Sequence, residues 1–592
     1  MGILVFRGNQ SLDIIDNLRK IVIDCINELA RDQNKSEFSA SDSITVETPK
    51  ANINCDYSTN AAMIIAKDFS LSPRDIGEQL KNRLMKKDLI HSVSLEGPGF
   101  LNFILEKSVW GQLLSNILAL NTTYGKSNIG KKKKVNVEFV SANPTGPLHI
   151  GHVRGAIFGD ALSRLLTFTG FEVTKEYYVN DGGAQIEVLG RTLYHRYLEL
   201  LGESVALPQD SYPGDYLIPV AQVLLEKYGK SLKTMNVEER HNLVCEFGVY
   251  EMMKLIKSDL KSLDISMDNY FSEKAMIRSG QIEDTIRILE KKKLIYKGIL
   301  EPPKGKLQKE WKSRKQLLFK STLFGDDIDR PVKKSDESWT YFAPDLAYHG
   351  DKLGRSFDLI IDVLGADHSG YVSRIEAVIK ALSSYPVEFK VKLVQLVRLL
   401  RNKKPLKMSK RSGDYIMIND LLNEVNSDVI RFVMLCRKND VPLDFDVDLI
   451  LEKSKENPVF YVNYAHARIH SVLSKAKESA LWSENQYEDK DIAGNVFNTQ
   501  EIIILRKLSE WPNIIRQSVS YQEPHRISYY LYELSSQFHS LYHSGSKEKP
   551  YRFINKDDKG LSEQRLCLAK SIQIVIKNGL HVLGIVPMQE MY

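Results

Sequence analysis

The chain has 592 residues, a formal net charge of +6 and 43% hydrophobic residues, which describes an ordinary globular protein with several domains. No apolar run approaches the ~18 residues that a membrane-spanning helix needs, and the N-terminal residues do not form a secretory signal. The five cysteines include no C-x-x-C pair, which argues against a structural zinc site and a disulfide framework and indicates free thiols in a reducing cytoplasm. The weak positive charge permits a nucleic-acid partner without requiring one.

The first region, residues 1–120, predicts a small α+β domain. Apolar residues at helical spacing run from Leu12 to Leu29, and Ser72-Pro73 supplies an N-cap and a first-turn proline for a second helix. Residues 92–105 predict two strands around a Gly-Pro-Gly turn. The polar segment 121–134 ends in four lysines, which is typical of a solvated linker.

Residues 121–440 predict the α/β part of the chain. Strand patterns at 135–140 and 172–179 flank a helix that begins at residue 151, and this alternation indicates a parallel sheet of the Rossmann type. A long, mainly helical insertion is expected at about 185–340, dividing the sheet into two halves. Further buried strands are expected in two places, 357–364 and near 391–396.

Residues 441–592 predict an all-α helix bundle. The strand patterns stop near residue 440, and helical patterns follow at 459–476, 502–519 and 527–542. These patterns are rich in tyrosine and histidine, as expected for a bundle with an aromatic, polar face.

The stretch His149-Ile150-Gly151-His152 lies between a predicted strand and a predicted helix. A helix N-terminus offers N–H groups and partial positive charge to phosphates. His149 and His152 are three residues apart, so both can face one triphosphate, and Gly151 leaves room for an adenine against the backbone. The tetrapeptide is short enough to occur by chance, so this motif alone does not exclude a turn with a purely structural role.

A second candidate phosphate site, Lys407-Met408-Ser409-Lys410-Arg411-Ser412-Gly413, follows the second half of the predicted sheet. Cations in a loop that contains Gly and Ser would form a flexible clamp around a triphosphate, and the alternative is a basic surface loop. Together the two motifs resemble the paired signatures of class I aminoacyl-tRNA synthetases, whose two loops enclose ATP from opposite halves of a Rossmann fold.

The resemblance extends to the arginyl-tRNA synthetases of bacteria and covers essentially the whole chain. It implies an N-terminal additional domain, a catalytic domain and a C-terminal anticodon-binding bundle. Some members of the family carry an altered second lysine in the lysine signature, whereas Lys410 is present here. The stretches that resemble family motifs are 56–62, 97–103, 137–147, 178–185, 365–371 and 457–468.

The resemblance implies that ATP and L-arginine give arginyl-adenylate and pyrophosphate, and that arginine then passes to the 3′-terminal adenosine of tRNA(Arg) with release of AMP. Attack of a carboxylate on the α-phosphate needs in-line positioning and cations where negative charge grows. His149, His152, Lys407 and Lys410 are the predicted catalytic residues, with Mg²⁺ on the phosphates and no metal site of the protein's own. The further ATP-binding residues are Gly151, Gly365, Asp367, His368, Met408 and Ser409.

The same resemblance implies residues that bind arginine. A guanidinium always carries its charge, and acidic groups and a hydroxyl meet its donors best. Asn143 is expected on the α-amino group, and Asp367 stands where other branches of the family carry glutamine. The arginine-binding residues are Glu138, Asn143, Tyr341, Asp345 and Asp367.

The resemblance also implies residues that bind tRNA. They are Phe100 and Asn102 at the D-loop of the tRNA elbow, and Tyr461, Ala465, Phe538 and Met591 at the anticodon loop. Aromatic residues at helical spacing are also typical of a protein core, so a packing role is the alternative.

Three other interpretations compete with this one. A cysteinyl enzyme of the same class would need soft zinc ligands, which the cysteine spacing does not supply. An RNA-binding paralogue without catalysis has no physical need for both signatures, and a simple nucleotidyltransferase leaves the C-terminal bundle unexplained. The expected partners are therefore tRNA(Arg), L-arginine and ATP, without a membrane, and the chain is expected to be a cytoplasmic monomer.

Overall fold

The computed structural model describes residues 13–38, 43–49, 55–208, 210–300, 315–334, 336–406, 416–452, 457–483, 492, 497–548 and 551–590. The chain divides into two compact units, one formed by residues 1–127 with 453–592 and the other by residues 128–452. The N-terminal region and the C-terminal bundle, which the sequence predicts as separate domains, therefore belong to one unit. The boundaries at about 120 and 440 stay a prediction.

The N-terminal part of the first unit is an antiparallel sheet with helices, as predicted. Its strand order is β1-β2-β4-β3. The second helix begins as the sequence indicates, because the Ser72 side chain accepts a hydrogen bond from the Asp75 N–H and Pro73 occupies the first helical position. The elements are α1 (Ile14–Asp32), β1 (Val46–Glu47), β2 (Tyr57–Thr59), α2 (Ala61–Phe69), α3 (Pro73–Leu84), β3 (Ile90–Glu96), β4 (Phe100–Leu105) and α4 (Ser108–Leu120).

The second unit is built around a five-stranded sheet in which every pairing is parallel. Its order is β12-β11-β5-β6-β7, so the strand that precedes the histidine motif is central. The elements of this unit are β5 (Lys134–Glu138), α5 (Ile150–Phe168), β6 (Glu172–Val179), α6 (Ala184–Leu200), α7 (Leu217–Tyr228), α8 (Val237–Ser262), β7 (Asn269–Ser272), α9 (Glu273–Arg278), α10 (Gln281–Lys291), β8 (Ile295–Gly298), β9 (Gln316–Phe319), β10 (Arg330–Lys333), α11 (Phe342–Gly354), β11 (Leu359–Gly365), α12 (Val372–Leu382), β12 (Glu388–Val394), β13 (Val397–Arg401), β14 (Lys404–Pro405), α13 (Ile418–Glu424), α14 (Ser427–Met434), β15 (Leu443–Asp446) and α15 (Val447–Leu451).

The predicted α/β class is confirmed, and one detail of the prediction is wrong. The insertion is mainly helical, as expected, and it also contains strands: β7 joins the main sheet, and β8, β9 and β10 form a small antiparallel sheet. Strand structure continues past residue 440, contrary to the prediction, because β15 pairs in parallel with β13. Strands of four residues contain too few alternations for a periodicity signal, which explains why these strands were not predicted.

The C-terminal part of the first unit is helical, as predicted, and packs against the N-terminal part. The Tyr57 hydroxyl lies 2.5 Å from the Ser509 Oγ, and the Trp511 Nε1 donates to the Tyr124 carbonyl oxygen at 3.0 Å. None of the described helices is long and apolar enough to cross a membrane. The helices are α16 (Pro458–Glu478), α17 (Thr499–Tyr521), α18 (His525–Lys547) and α19 (Lys559–Val582).

Candidate active site

The histidine motif forms the first turn of α5, as the sequence predicts. His149 is the N-cap residue, and its Nδ1 accepts a hydrogen bond from the Gly151 N–H at 3.1 Å. The His152 Nδ1 accepts from the His149 N–H at 3.4 Å, and the two ring centroids are 3.9 Å apart. Because Nδ1 accepts a backbone N–H on each ring, Nε2 carries the proton of the neutral imidazole. Each histidine therefore presents an Nε2–H that can donate to a phosphate oxygen.

Gly151 is needed where it stands. A Cβ at this position would lie 2.9 Å from Cε1 and 3.0 Å from Nδ1 of His149. A larger residue would therefore move the His149 ring away from its capping hydrogen bond.

The chain that follows the lysine motif returns to the histidine turn. Met417 pairs with His149 in an isolated β-bridge, and the Ile418 N–H donates to the Leu148 carbonyl oxygen at 3.2 Å. Asp259 joins the two segments, because its carboxylate accepts from the Leu148 N–H at 2.9 Å and from the Asn419 amide at 3.1 Å. The predicted residues of the lysine motif, Lys407, Met408, Ser409 and Lys410, lie outside the described residues.

A cavity of about 650 Å³ lies at the carboxyl ends of β5, β6 and β11. Open parallel sheets bind their ligands at this edge. Of the predicted residues, Glu138, Tyr341, Asp345 and His368 line the cavity. Asn143 is not among its lining residues, but its side-chain amide donates at 2.8 Å to Gln185, which lines it.

Two acids of the cavity are paired with a buried lysine, and we call Glu138, Asp362, Lys352 and His349 the Lys352 cluster. The Lys352 Nζ is 2.6 Å from a Glu138 oxygen and 2.7 Å from an Asp362 oxygen. The His349 Nε2 lies 3.0 Å from the other Asp362 oxygen. Burial alone would lower the pKa of Lys352, but the carboxylates outweigh it and hold that pKa above its ordinary value. The cluster is therefore a buried ion network in which one ammonium group pairs with two carboxylates.

Two further acids of the cavity, Asp345 and Glu273, have no such partner, and we call them the tyrosine-bonded pair. The Tyr371 hydroxyl donates to Asp345 at 2.7 Å, and the Tyr178 hydroxyl donates to Glu273. Burial raises the pKa of Asp345 to about 6 and raises the pKa of Glu273 as well. Among the described residues, no lysine or arginine forms a salt bridge with either carboxylate. The cavity thus contains two acids that lack a cation.

Tyr341 and the predicted residues that follow β11 are exposed or lie beside exposed side chains. Tyr341 precedes α11 and is 82% exposed. Asp367 and His368 lie in the short 3-10 turn that follows β11, and both side chains are largely exposed. Gly365 ends β11, and a Cβ there would lie 2.5 Å from the Asp367 carboxylate.

The predicted tRNA-binding residues are not all accessible. Phe100 is 41% exposed, whereas the side chains of Asn102, Ala465 and Phe538 are buried. Phe538 packs against Phe553 in the helical bundle. For these three buried residues the structure favours a packing role over direct contact with RNA, because a side chain enclosed by protein atoms cannot stack on a base.

The other two predicted tRNA-binding residues are Tyr461 and Met591. The Tyr461 ring is partly exposed and lies against His539 and Tyr532. Met591 lies outside the described residues.

Sequence reasoning missed several polar residues of the cavity. Glu273 and Tyr178 meet only through the pairing of β6 with β7, a four-residue strand that gives no clear signal. Lys352 follows Asp345 by seven residues, so helical spacing places both on one face of α11 and could have revealed the lysine. Asp259 lies in the insertion, far along the sequence from the turn that it holds.

Comparisons with known proteins agree with this geometry. Three family descriptions match the chain: arginyl tRNA synthetase N terminal domain at residues 16–105, tRNA synthetases class I (R) catalytic domain at 113–207, and DALR anticodon binding domain at 462–591. An arginine–tRNA ligase from Ruegeria pomeroyi is 47% identical over 581 residues, which is 98% of this chain and 100% of that protein.

A second sequence relative and a solved structure are also similar to this chain. An arginine–tRNA ligase from Cereibacter sphaeroides is 50% identical over 551 residues, covering 93% of this chain and 94% of that protein. The solved arginyl-tRNA synthetase from Thermus thermophilus shares the fold with a TM-score of 0.69 at 20% identity, over 98% of this chain and 100% of that one.

Proposed function

The chain belongs to the arginyl-tRNA synthetase family and is an arginine–tRNA ligase, and from that premise we propose which side chains perform each step. The enzyme activates L-arginine with ATP to arginyl-adenylate, releases pyrophosphate, and transfers arginine to the 3′-terminal adenosine of tRNA(Arg) with release of AMP. Its class I catalytic domain and anticodon-binding domain correspond to activation and tRNA binding.

The tyrosine-bonded pair holds the guanidinium of the substrate. Within the described part of the chain, Asp345 and Glu273 are acids of the cavity that form no salt bridge, and a guanidinium supplies a permanent charge and several N–H donors. Its binding stabilises the charged form of Asp345, which burial otherwise disfavours. Tyr341 lines the same cavity and is exposed, and we assign its hydroxyl to the same group. The match between these two acids and the positive charge of the guanidinium is the main support for the proposal.

The other end of the substrate lies toward the end of β5. Asn143 binds the α-amino group, and Glu138, whose carboxylate lies 2.6 Å from the Lys352 Nζ, contributes negative charge. Asp367 adds a second acid at the end of β11, the strand next to β5 in the sheet.

ATP binds against the histidine turn. His149 and His152 donate from Nε2 to phosphate oxygens, and the adenine lies against the backbone at Gly151. Lys407 and Lys410 supply positive charge to the same phosphates. The remaining ATP contacts come from Gly365, Asp367, His368, Met408 and Ser409. These groups align the α-phosphate for attack and stabilise the negative charge that grows on it.

The residues at this site could supply only some of the ligands that Mg²⁺ needs. It prefers oxygen ligands and usually binds proteins through one or two carboxylates together with substrate phosphates. Asp367 is an exposed carboxylate at the correct end of the sheet and would hold the ion, with the other ligands coming from ATP. Bound there, the ion would neutralise phosphate charge.

The tRNA is bound by both parts of the first unit. Phe100 is an exposed aromatic residue in the N-terminal part and would contact the D-loop, and Tyr461 and Met591 would contact the anticodon loop. Stacking of bases on aromatic rings and charge attraction to phosphates supply such contacts. We further propose that the enzyme is a monomer and works in the cytoplasm, where its five free cysteines would stay reduced.

Steady-state aminoacylation with arginine as the varied substrate tests the guanidinium site. In the Asp345→Asn variant, KM for arginine should rise steeply while KM for ATP stays within about twofold, because the lost charge contacts only arginine. An unchanged KM for arginine would refute the assignment of Asp345.

A further inference from the structure

A cluster of potential metal ligands lies outside the proposed arginine site, between α6 and α8. Glu187 is in the first turn of α6, and His241 and Cys245 are one helical turn apart on α8. The carboxylate oxygen, ring nitrogen and sulfur lie within 4.8 Å of one another. Residues at i and i+4 share a helix face, so α8 presents its two ligands side by side.

The distance between the sulfur and the ring nitrogen suits a shared ion. The Cys245 Sγ lies 3.6 Å from the His241 Nε2, and the same nitrogen contacts a Glu187 carboxylate oxygen. Ligands of a tetrahedral ion at bond lengths of ~2.0–2.3 Å are separated by roughly this distance. The Glu187 carboxylate, which contacts the His241 ring nitrogen directly, would need to move outward to admit a metal, and its exposure leaves room for that movement.

The packing of the two helices fixes the Cys245 sulfur. A Cβ at Gly190 of α6 would lie 2.2 Å from the Cys245 Sγ, so the sulfur occupies space that only a glycine leaves. The thiol also points at the Ile186 carbonyl oxygen, at 3.5 Å. Cys245 is 6% exposed, whereas the Glu187 side chain is 58% exposed, so an ion would reach the buried sulfur from the solvent side.

The donor chemistry selects the kind of ion. Thiolate, imidazole and carboxylate together are the ligands of Zn²⁺, and three protein ligands leave a fourth position for water. The lack of a C-x-x-C pair excludes a zinc site built on paired cysteines, but a site with one cysteine, a histidine and a glutamate needs no such pair.

We propose that Glu187, His241 and Cys245 form a Zn²⁺ site that joins the first turn of α6 to α8. Without an ion, burial raises the pKa of the Cys245 thiol to about 11, so Zn²⁺ displaces the thiol proton when it binds. The bond formed is Zn–S, and the proton passes to solvent. Glu187 is two residues from Gln185, which lines the arginine cavity, so the ion stiffens the start of the helix behind that cavity.

The test uses the full-length, chelator-treated protein titrated with Co²⁺ as a spectroscopic substitute for Zn²⁺. We expect a thiolate-to-cobalt charge-transfer band in the near ultraviolet that saturates at a single equivalent, and displacement of that band by Zn²⁺. Absence of the band in the wild-type protein overturns the proposal without any variant.

Variants then identify the ligands. Cys245→Ala should abolish the charge-transfer band, whereas Cys436→Ala, a cysteine in the same unit, should leave it unchanged. Competition with a chromophoric chelator should show Zn²⁺ affinity weakened on the order of 100-fold or more in Cys245→Ala, since even outer-shell partners of metal ligands cost 10–100-fold. A band that persists in Cys245→Ala overturns the proposal.

Glu187→Gln provides a variant that should fold normally, because Glu187 is exposed in the first turn of its helix. We expect this variant to keep the thiolate band but to bind Zn²⁺ at least tenfold more weakly, since it loses an anionic ligand. Equal affinity in Glu187→Gln and the wild-type protein would overturn the three-ligand site.

Discussion

The two groups of acids in the cavity contain the same functional group in opposite electrostatic states. In the Lys352 cluster, Glu138 and Asp362 share a buried ammonium group. In the tyrosine-bonded pair, Asp345 and Glu273 accept hydrogen bonds from neutral hydroxyls, and burial raises the pKa of both. The first group stabilises the folded protein by itself, whereas the second is completed by a cationic ligand. We call the carboxylates of the Lys352 cluster structural acids because the protein supplies their cation, although one of them, Glu138, also lies beside the substrate.

The Lys352→Met variant should give the largest effect. It leaves two buried carboxylates without their cation, and removal of one partner of a buried pair costs about 3–5 kcal/mol of unfolding free energy. Urea denaturation measures this loss. As a control, Lys380→Met changes an exposed lysine of α12 and should cost at most about 1 kcal/mol. Equal urea midpoints for Lys352→Met and the wild-type protein would show that the cluster is not a stabilising network.

The Asp345→Asn variant should behave in the opposite way. Its arginine KM should rise about 30-fold or more, because truncating one partner of a buried charge pair costs about 2–5 kcal/mol of binding. Its stability without arginine should be equal to or higher than that of the wild-type protein at pH 7, since a buried charge with no cation is removed. Aminoacylation kinetics and urea denaturation of the same preparation check both expectations. Reduced stability would place Asp345 with the structural acids.

The Glu273→Gln variant should have a smaller effect on binding. We expect a roughly tenfold rise in arginine KM, equivalent to about 1.4 kcal/mol, because the amide still accepts the Tyr178 hydrogen bond and only the charge is lost. Glu246→Gln is the matched control, since Glu246 pairs with Lys274 on the surface. Similar arginine KM values for the two variants would contradict a role for Glu273.

The pH dependence of arginine binding should be the smallest effect. The pKa of Asp345 is raised from 3.8 to about 6, and arginine binds the ionised form. Below pH 6 arginine must therefore displace a proton, so its KM should rise roughly fivefold between pH 6 and pH 5. Kinetics across this range in the wild-type protein and in Asp345→Asn measure the effect. A slope of equal size in the variant would assign the titration to another group.

The sequence predicts the parts of this site that depend on local structure. The first turn of α5 follows from the strand-to-helix pattern around Gly151, and the observed strands β5, β6, β11 and β12 lie within a few residues of the expected ones. Glu138 and Asp345 were identified by resemblance, and the structure places both at the cavity.

The sequence does not reveal what each acid contacts. Whether a carboxylate meets Lys352 or only a tyrosine depends on how α11 packs against the sheet, and this packing joins residues as distant as Glu138 and Lys352. Glu273 was missed because it follows a four-residue strand inside the insertion, where a helical pattern was expected. The buried side chains of Ala465 and Phe538 show the same difficulty, because motif likeness does not report exposure.

Direct binding of arginine and of citrulline tests the central claim most directly. Citrulline replaces the guanidinium with a neutral urea group of nearly the same shape that has a carbonyl oxygen in place of one nitrogen, so the ratio of the two affinities measures recognition of the guanidinium charge together with its N–H donors. We expect the wild-type protein to prefer arginine by about 100-fold or more, and Asp345→Asn to lose most of that preference. A preference for arginine that is the same in the wild-type protein, Asp345→Asn and Glu273→Gln would contradict the account.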